Sequence, residues 1–213
     1  MDVVLDPNLS EAEAGEGLRR WRESLATRLV ERARDLGWDE YFVVADSYGI
    51  ATGIAAAEAR PEAVRGVALG HAALEHRYDG ERPTVSPEIW DAMGTLLRTD
   101  RRSFISYGLA QMTQGGVTEE QARRWWERFP DPDVVSSVWE VLGARPEPFE
   151  SRLRALEVPL LFAQHVGCLV ETEEGFEDAV TAFPEATVIR CDGACASSPD
   201  FAEALRDFCQ AIG

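Results

Sequence analysis

Short apolar runs alternate with amphipathic stretches along most of the chain. Val3-Val4-Leu5 reads as a brief strand closed by Asp6-Pro7-Asn8, and an acidic loop runs on to Gly17. Over 18–36, Leu18, Trp21, Leu25, Leu29 and Leu36 recur at near-helical spacing, and Gly37 marks the end of that helix. Residues 41–45 form an apolar strand. An alanine-rich helix follows over about 48–59, and Pro61 stops it. Val64-Arg65-Gly66-Val67-Ala68-Leu69 is apolar enough for a strand buried on both faces, as parallel sheets require. The rhythm returns late in the chain, with a strand at Val158–Ala163 and a helix over 171–183. A strand at Ala186–Arg190 and a helix over 199–211, opened by Ser198-Pro199, complete it.

The stretch between these halves is different. Pro87, Asp131-Pro132 and Thr118 with Gln121 read as helix starts, and Trp90, Phe104, Tyr107, Trp125, Trp126 and Trp139 lie among them with little strand signal. The expected organisation is therefore an α/β core over 1–74 and 151–213 with a helical cap or lid over 75–150. Alternating strands and helices imply a mostly parallel sheet flanked by helices. Ligands of such sheets bind at the carboxyl ends of the strands. Ser47, the aromatic insert, Cys168 and Cys195 all follow strand ends, so they are expected around one pocket.

Composition narrows the partners. The formal charge of −17 over 213 residues disfavours nucleic acid and anionic membranes, which need clustered positive charge. Every basic side chain other than histidine is arginine, which excludes lysine Schiff-base chemistry and a P-loop lysine. No apolar run approaches the roughly 20 residues of a membrane span. The N-terminus lacks a basic leader, so a cytoplasmic location is expected. His71, His76 and His165 show no metal-type spacing among themselves or with Cys168, Cys191, Cys195 and Cys209, so neither metal nor cofactor is expected.

Ala45-Asp46-Ser47-Tyr48-Gly49 has the form of a nucleophile elbow, a sharp strand-to-helix turn with serine at its apex. Residues 61–69 resemble the next strand and lead-in of the α/β-hydrolases, 158–162 the strand before their catalytic acid, and 183–188 their last strand. Asp192-Gly193-Ala194-Cys195, with Pro199 and Phe201 beyond, resembles the turn that carries their histidine. With these pieces in order, the chain resembles a capped α/β-hydrolase, abbreviated at its N-terminus and with a degenerate triad. The resemblance makes Ser47 the nucleophile and the Tyr48 N–H an oxyanion donor, but it puts Cys168 in the acid position and Cys195 in the histidine position. No histidine follows His165. The family's strands before 3–5 have no counterpart, so either strand 3–5 slides in beside 41–45 or a second chain covers that edge, and a homodimer or partner chain is expected there.

A serine without a base loses several orders of magnitude in rate. His71, just past the strand at 65–70, is the candidate relocated base, with Glu75 or Asp192 to orient it. His165 is a weaker candidate of the same kind, and His76 is placed at the cap hinge. For Cys168 and Cys195 three readings stand: apolar fillers, a disulfide between them, or Cys195 as a reactive thiol near Ser47. Trp90, Phe104, Tyr107 and Trp125 are candidate walls of an apolar substrate pocket, or the cap's own core. Three functions follow. One is an enzyme acting on a small apolar carbonyl, ester, thioester or polyketide-like metabolite, by hydrolysis or by a non-hydrolytic step. The others are an inactive binding protein that kept the pocket and a structural subunit.

Overall fold

The computed structural model describes residues 11–72, 86–100, 102–106, 120, 123–124, 127, 149–168, 171–192 and 198–213 of the chain. Helix α1 (Glu11–Asp35) leads through a turn at Gly37 into strand β1 (Tyr41–Asp46). A 3-10 turn over Ser47–Gly49 runs directly into α2 (Ile50–Ala59), and β2 (Val64–Gly70) follows. Helix α3 (Pro87–Thr99) belongs to the aromatic insert, and residues 102–106 are also helical. Then come α4 (Glu150–Leu156), β3 (Leu160–Val166), α5 (Glu173–Ala182), β4 (Thr187–Asp192) and α6 (Pro199–Ile212). The strand expected at 3–5 lies outside the described residues. Helix α4 escaped the sequence reading, although Phe149, Leu153 and Leu156 sit on one helical face and are buried.

The four strands form one sheet in the order β1-β2-β3-β4, and every pairing is parallel. Central β2 and β3 are buried on both faces, which is why their sequences are continuously apolar. On one face Val43, Ala45, Val67, Leu69 and Phe162 pack with Ile50 and Ile54 of α2, Leu153 of α4 and Phe176 of α5. On the other face Ala68, Leu161, Ala163 and Cys191 meet Phe201 and Phe208 of α6. Ser198 and Thr172 cap α6 and α5 by accepting the backbone N–H three residues on. Arg152 of α4 grips Glu58 of α2 with both nitrogens, at 2.9 and 2.8 Å. Helix α1 reaches the sheet through α2, with Ala26 and Val30 against Ala56.

Among the described residues β1 is an edge strand. Trp21, Leu29, Trp38 and Val44 are exposed beside it. A groove of about 620 Å³ runs between α1 and this edge, lined by Trp21, Leu25, Trp38, Phe42, Val44 and Gly49 among others. Among the described residues this edge is apolar, and the strand at 3–5 that could pair with it lies outside them. No helix among the described residues is long and apolar enough to cross a membrane.

Helix α2 lies unusually close to β1. A Cβ built on Gly53 would sit 2.6 Å from the Ala45 Cβ and 3.3 Å from a Val43 methyl. Gly53→Val is therefore expected to cost about 1–3 kcal/mol by overpacking. Gly49→Ala, where a Cβ meets nothing within 4 Å, is expected to be close to neutral. Urea unfolding of the two variants checks the contrast, and equal midpoints would refute the close approach.

Candidate active site

Strand β1 ends at Asp46, and the chain reverses at once into the helical turn that starts at Ser47. That reversal puts Ser47 at φ +50°, a left-handed conformation that a residue with a Cβ adopts only at a cost. The elbow geometry read from small-x-Ser-x-Gly is therefore present. The Tyr48 N–H lies in the first turn of the helical segment, where backbone donors have no acceptor within the helix, as an oxyanion donor requires. Among the described residues no side chain bonds the Ser47 hydroxyl.

Strand β2 ends one position away, in register with β1: Gly70 pairs with Asp46 on one side and Ala163 on the other. His71 comes next. Its N–H bonds to Ala163 O at 2.9 Å, and its φ is +55°, a second left-handed turn beside the first. This backbone twist aims the imidazole back over the strand ends. Its Nδ1 lies 2.7 Å from Asp46 Oδ1. Strand β3 supplies the rest. His165 is buried, with its ring centroid 5.5 Å from that of His71 and nearly perpendicular to it. A turn through Gly167 at φ +74° brings Cys168 back, with its N–H bonded to His165 O at 3.1 Å. The Cys168 sulfur lies within 4.8 Å of a His71 ring nitrogen and accepts a hydrogen bond from the Glu171 N–H at 3.3 Å. With Nδ1 held by Asp46, Nε2 is the nitrogen left for the sulfur.

Charge reinforces this chain. Burial by itself would push the His71 pKa down. The hydrogen bonds to Asp46 and Cys168, with the charges of Asp46 and Glu171, outweigh it and raise the value to about 10. Both Glu171 carboxylate oxygens are shut off from solvent. His165 shifts the opposite way: burial first, then the positive charge of His71, lowers its pKa, against a smaller pull from Asp46. At neutral pH the cluster thus holds one imidazolium and one neutral imidazole.

Several expectations change. The orienter of His71 is Asp46, the residue before the elbow serine, and not Asp192; Glu75 lies outside the described residues. Among the described residues no hydrogen bond joins His71 to Ser47, because the ring is already engaged by Asp46 and Cys168. Cys168 is a thiol and not half of a disulfide. It is also more than apolar filler, since its sulfur accepts a backbone hydrogen bond and stands beside the His71 ring. The separation of the histidines and cysteines in sequence also misleads, because His71, His165 and Cys168 place one donor atom each within 4.8 Å of the others. Trp90 is buried on the face of α3 that also buries Met93 and Leu97, and Phe104 is half-buried. Neither lines the groove at the β1 edge. Cys195, His76, Tyr107 and Trp125 lie outside the described residues.

The His71 environment has a consequence for stability. A histidine pKa raised on folding stabilises the native state fully below its unfolded value near 6.5 and ceases to do so as pH passes about 10. His165, whose folded value is lowered, still binds protons in the unfolded chain near 6.5, so its opposite contribution is confined to the acidic end of this range. In EDTA-containing buffer the wild-type protein is expected to lose on the order of a few kcal/mol between pH 6.5 and 10 relative to His71→Asn. Parallel urea curves at the two pH values check this, and an identical loss in both proteins would refute it.

No family model matches the sequence, and no curated protein matches it. Solved structures do. An esterase from Rhodococcus sp. ECU1013 is 17% identical at a TM-score of 0.68, over 89% of this chain and 72% of that one. A bromoperoxidase from Bacillus anthracis is 15% identical at a TM-score of 0.68, over 87% and 72%. An enol-lactonase from Burkholderia xenovorans LB400 is 18% identical at a TM-score of 0.57, over 90% and 72%. These likenesses, the parallel β1–β4 order and the serine elbow at the end of β1 show that the chain has the α/β-hydrolase fold.

Proposed function

We propose that the protein is a hydrolase-like enzyme for small, largely apolar acyl compounds, esters or thioesters, in which Cys168 attacks and Ser47 anchors the substrate. The observation that carries this reading is the alignment of Asp46, His71 and Cys168 across the carboxyl ends of three adjacent strands, with Asp46 bonded to the His71 ring and the Cys168 sulfur within 4.8 Å of a ring nitrogen. Two of the similar structures, an esterase and an enol-lactonase, are named for ester and lactone carbonyls, which lends support to the substrate class.

The state of His71 favours Cys168 over Ser47 in this reading. A histidine with a pKa of about 10 already carries its proton at neutral pH. It cannot take a proton from serine, but it can pair with a thiolate, the nucleophilic form of cysteine. In the proposed reaction the sulfur bonds to the substrate carbonyl carbon, and the carbonyl π electrons move onto oxygen. The Tyr48 N–H and the Ser47 hydroxyl donate to that oxygen. Collapse breaks the bond to the leaving alkoxide or thiolate, which takes the His71 proton. Water then attacks the S-acyl carbon, His71 accepts its proton, and the acid departs. Asp46 touches neither substrate nor leaving group; it holds Nδ1 and stabilises the imidazolium. The aromatic side chains of the 75–150 insert are the proposed source of apolar walls.

Iodoacetamide is expected to alkylate Cys168 at least tenfold faster than Cys191 or Cys209, and His71→Asn to remove that advantage. Hydrolysis of a short p-nitrophenyl thioester is expected to fall by about 10²-fold or more in Cys168→Ala and by less in Ser47→Ala. Activity that survives Cys168→Ala but not Ser47→Ala would sink the cysteine mechanism. Slow alkylation together with no turnover would leave a pocket protein without catalysis.

A further inference from the structure

We propose that His71, His165 and Cys168 form a binding site for one thiophilic divalent cation, Zn²⁺ above others, at the carboxyl ends of β2 and β3. The donor set is two imidazoles and a thiol, the set that favours zinc over magnesium or calcium. The three donor atoms lie within 4.8 Å of one another. Ligands at zinc bond lengths stand about 3.3–3.8 Å apart, so side-chain rotations of roughly an ångström suffice.

The backbone under these donors is firmly held. His71 N–H to Ala163 O ties the end of β2 to β3, and the Gly167 turn folds His165-Val166-Gly167-Cys168 into a local pair of ligands. Outer contacts of the kind that orient metal ligands are already in place. Asp46 engages Nδ1 of His71 and leaves Nε2 for a cation, while the Glu171 N–H donates to the Cys168 sulfur. The buried Glu171 carboxylate and Asp46 add negative charge around the cluster. Three protein ligands leave one coordination position for water or a small ligand.

The site shares His71 and Cys168 with the proposed acyl transfer, and so the regulatory part of the inference rests on that reading. A sulfur bonded to the cation gives up electron density to it and is a much weaker nucleophile toward a carbonyl carbon. Bound Zn²⁺ therefore silences Cys168 and shields it from oxidation, and release of the cation restores the thiol.

The test is a Co²⁺ titration of the EDTA-treated, reduced protein. The expected result is one Co²⁺ per chain with a near-ultraviolet thiolate-to-Co(II) charge-transfer band that Zn²⁺ abolishes by displacement. Cys168→Ser is expected to lose the band, His165→Gln to weaken binding at least tenfold, and Cys209→Ser to leave it unchanged. A wild-type protein without the band, or a band that persists in Cys168→Ser, overturns the site. Circular dichroism establishes that each variant is folded. Should either ligand variant unfold, alkylation of wild-type Cys168 with and without Zn²⁺ decides instead: at least tenfold protection supports the site, and equal rates overturn it. The band requires no turnover, so an inert protein that gives it keeps the metal site while losing the enzyme reading.

Discussion

Everything at the candidate site depends on the parallel pairing of β2 with both of its neighbours. Gly70 closes the ladder against Asp46 on one side and Ala163 on the other, and the His71 N–H extends it by one more bond. Three strand ends are thereby held at one level, a few ångströms apart. Residues 46, 71 and 165 are distant along the chain and meet because the register sets the ends of their strands side by side. A slip of one residue would turn β2 over and carry its side chains to the opposite faces of the sheet.

The same register explains the charge balance. A buried imidazolium is costly unless anions stand next to it. Here the costs of burying His71, Asp46 and Glu171 offset one another within a single cluster. This is why His71 and His165, one neighbour apart on adjacent strands, shift in opposite directions. Two like charges at that spacing would repel strongly in a low-dielectric setting, so the one with carboxylate and thiol partners keeps the proton.

Much of the fold was legible in sequence. The run Val64–Leu69 and the run at 158–163 are apolar throughout because both faces of central parallel strands are covered. Ser198-Pro199 announced α6 because a capping hydroxyl followed by proline suits a first turn. Helix α4 was hidden because Phe149, Leu153 and Leu156 follow a proline-rich stretch and span only two turns. At the site, the elbow and His71 were visible, since each follows an apolar strand directly. Asp46 was overlooked because it occupies the variable position of the elbow motif, where its type is read as neutral. His165 and Cys168 read as unrelated because two intervening residues separate them, and only the left-handed Gly167 folds that spacing into a contact.

Ser47 and His71 both hold left-handed backbone conformations without being glycine. Each such residue carries roughly 1–2 kcal/mol of strain. Glycine would relieve that strain at either position, and asparagine would relieve part of it. At Ser47, whose hydroxyl no described side chain bonds, that relief is a net gain, whereas at His71 the pairing with Asp46 outweighs it near neutral pH. A library screened for melting temperature alone would therefore keep His71 and drift away from serine at position 47.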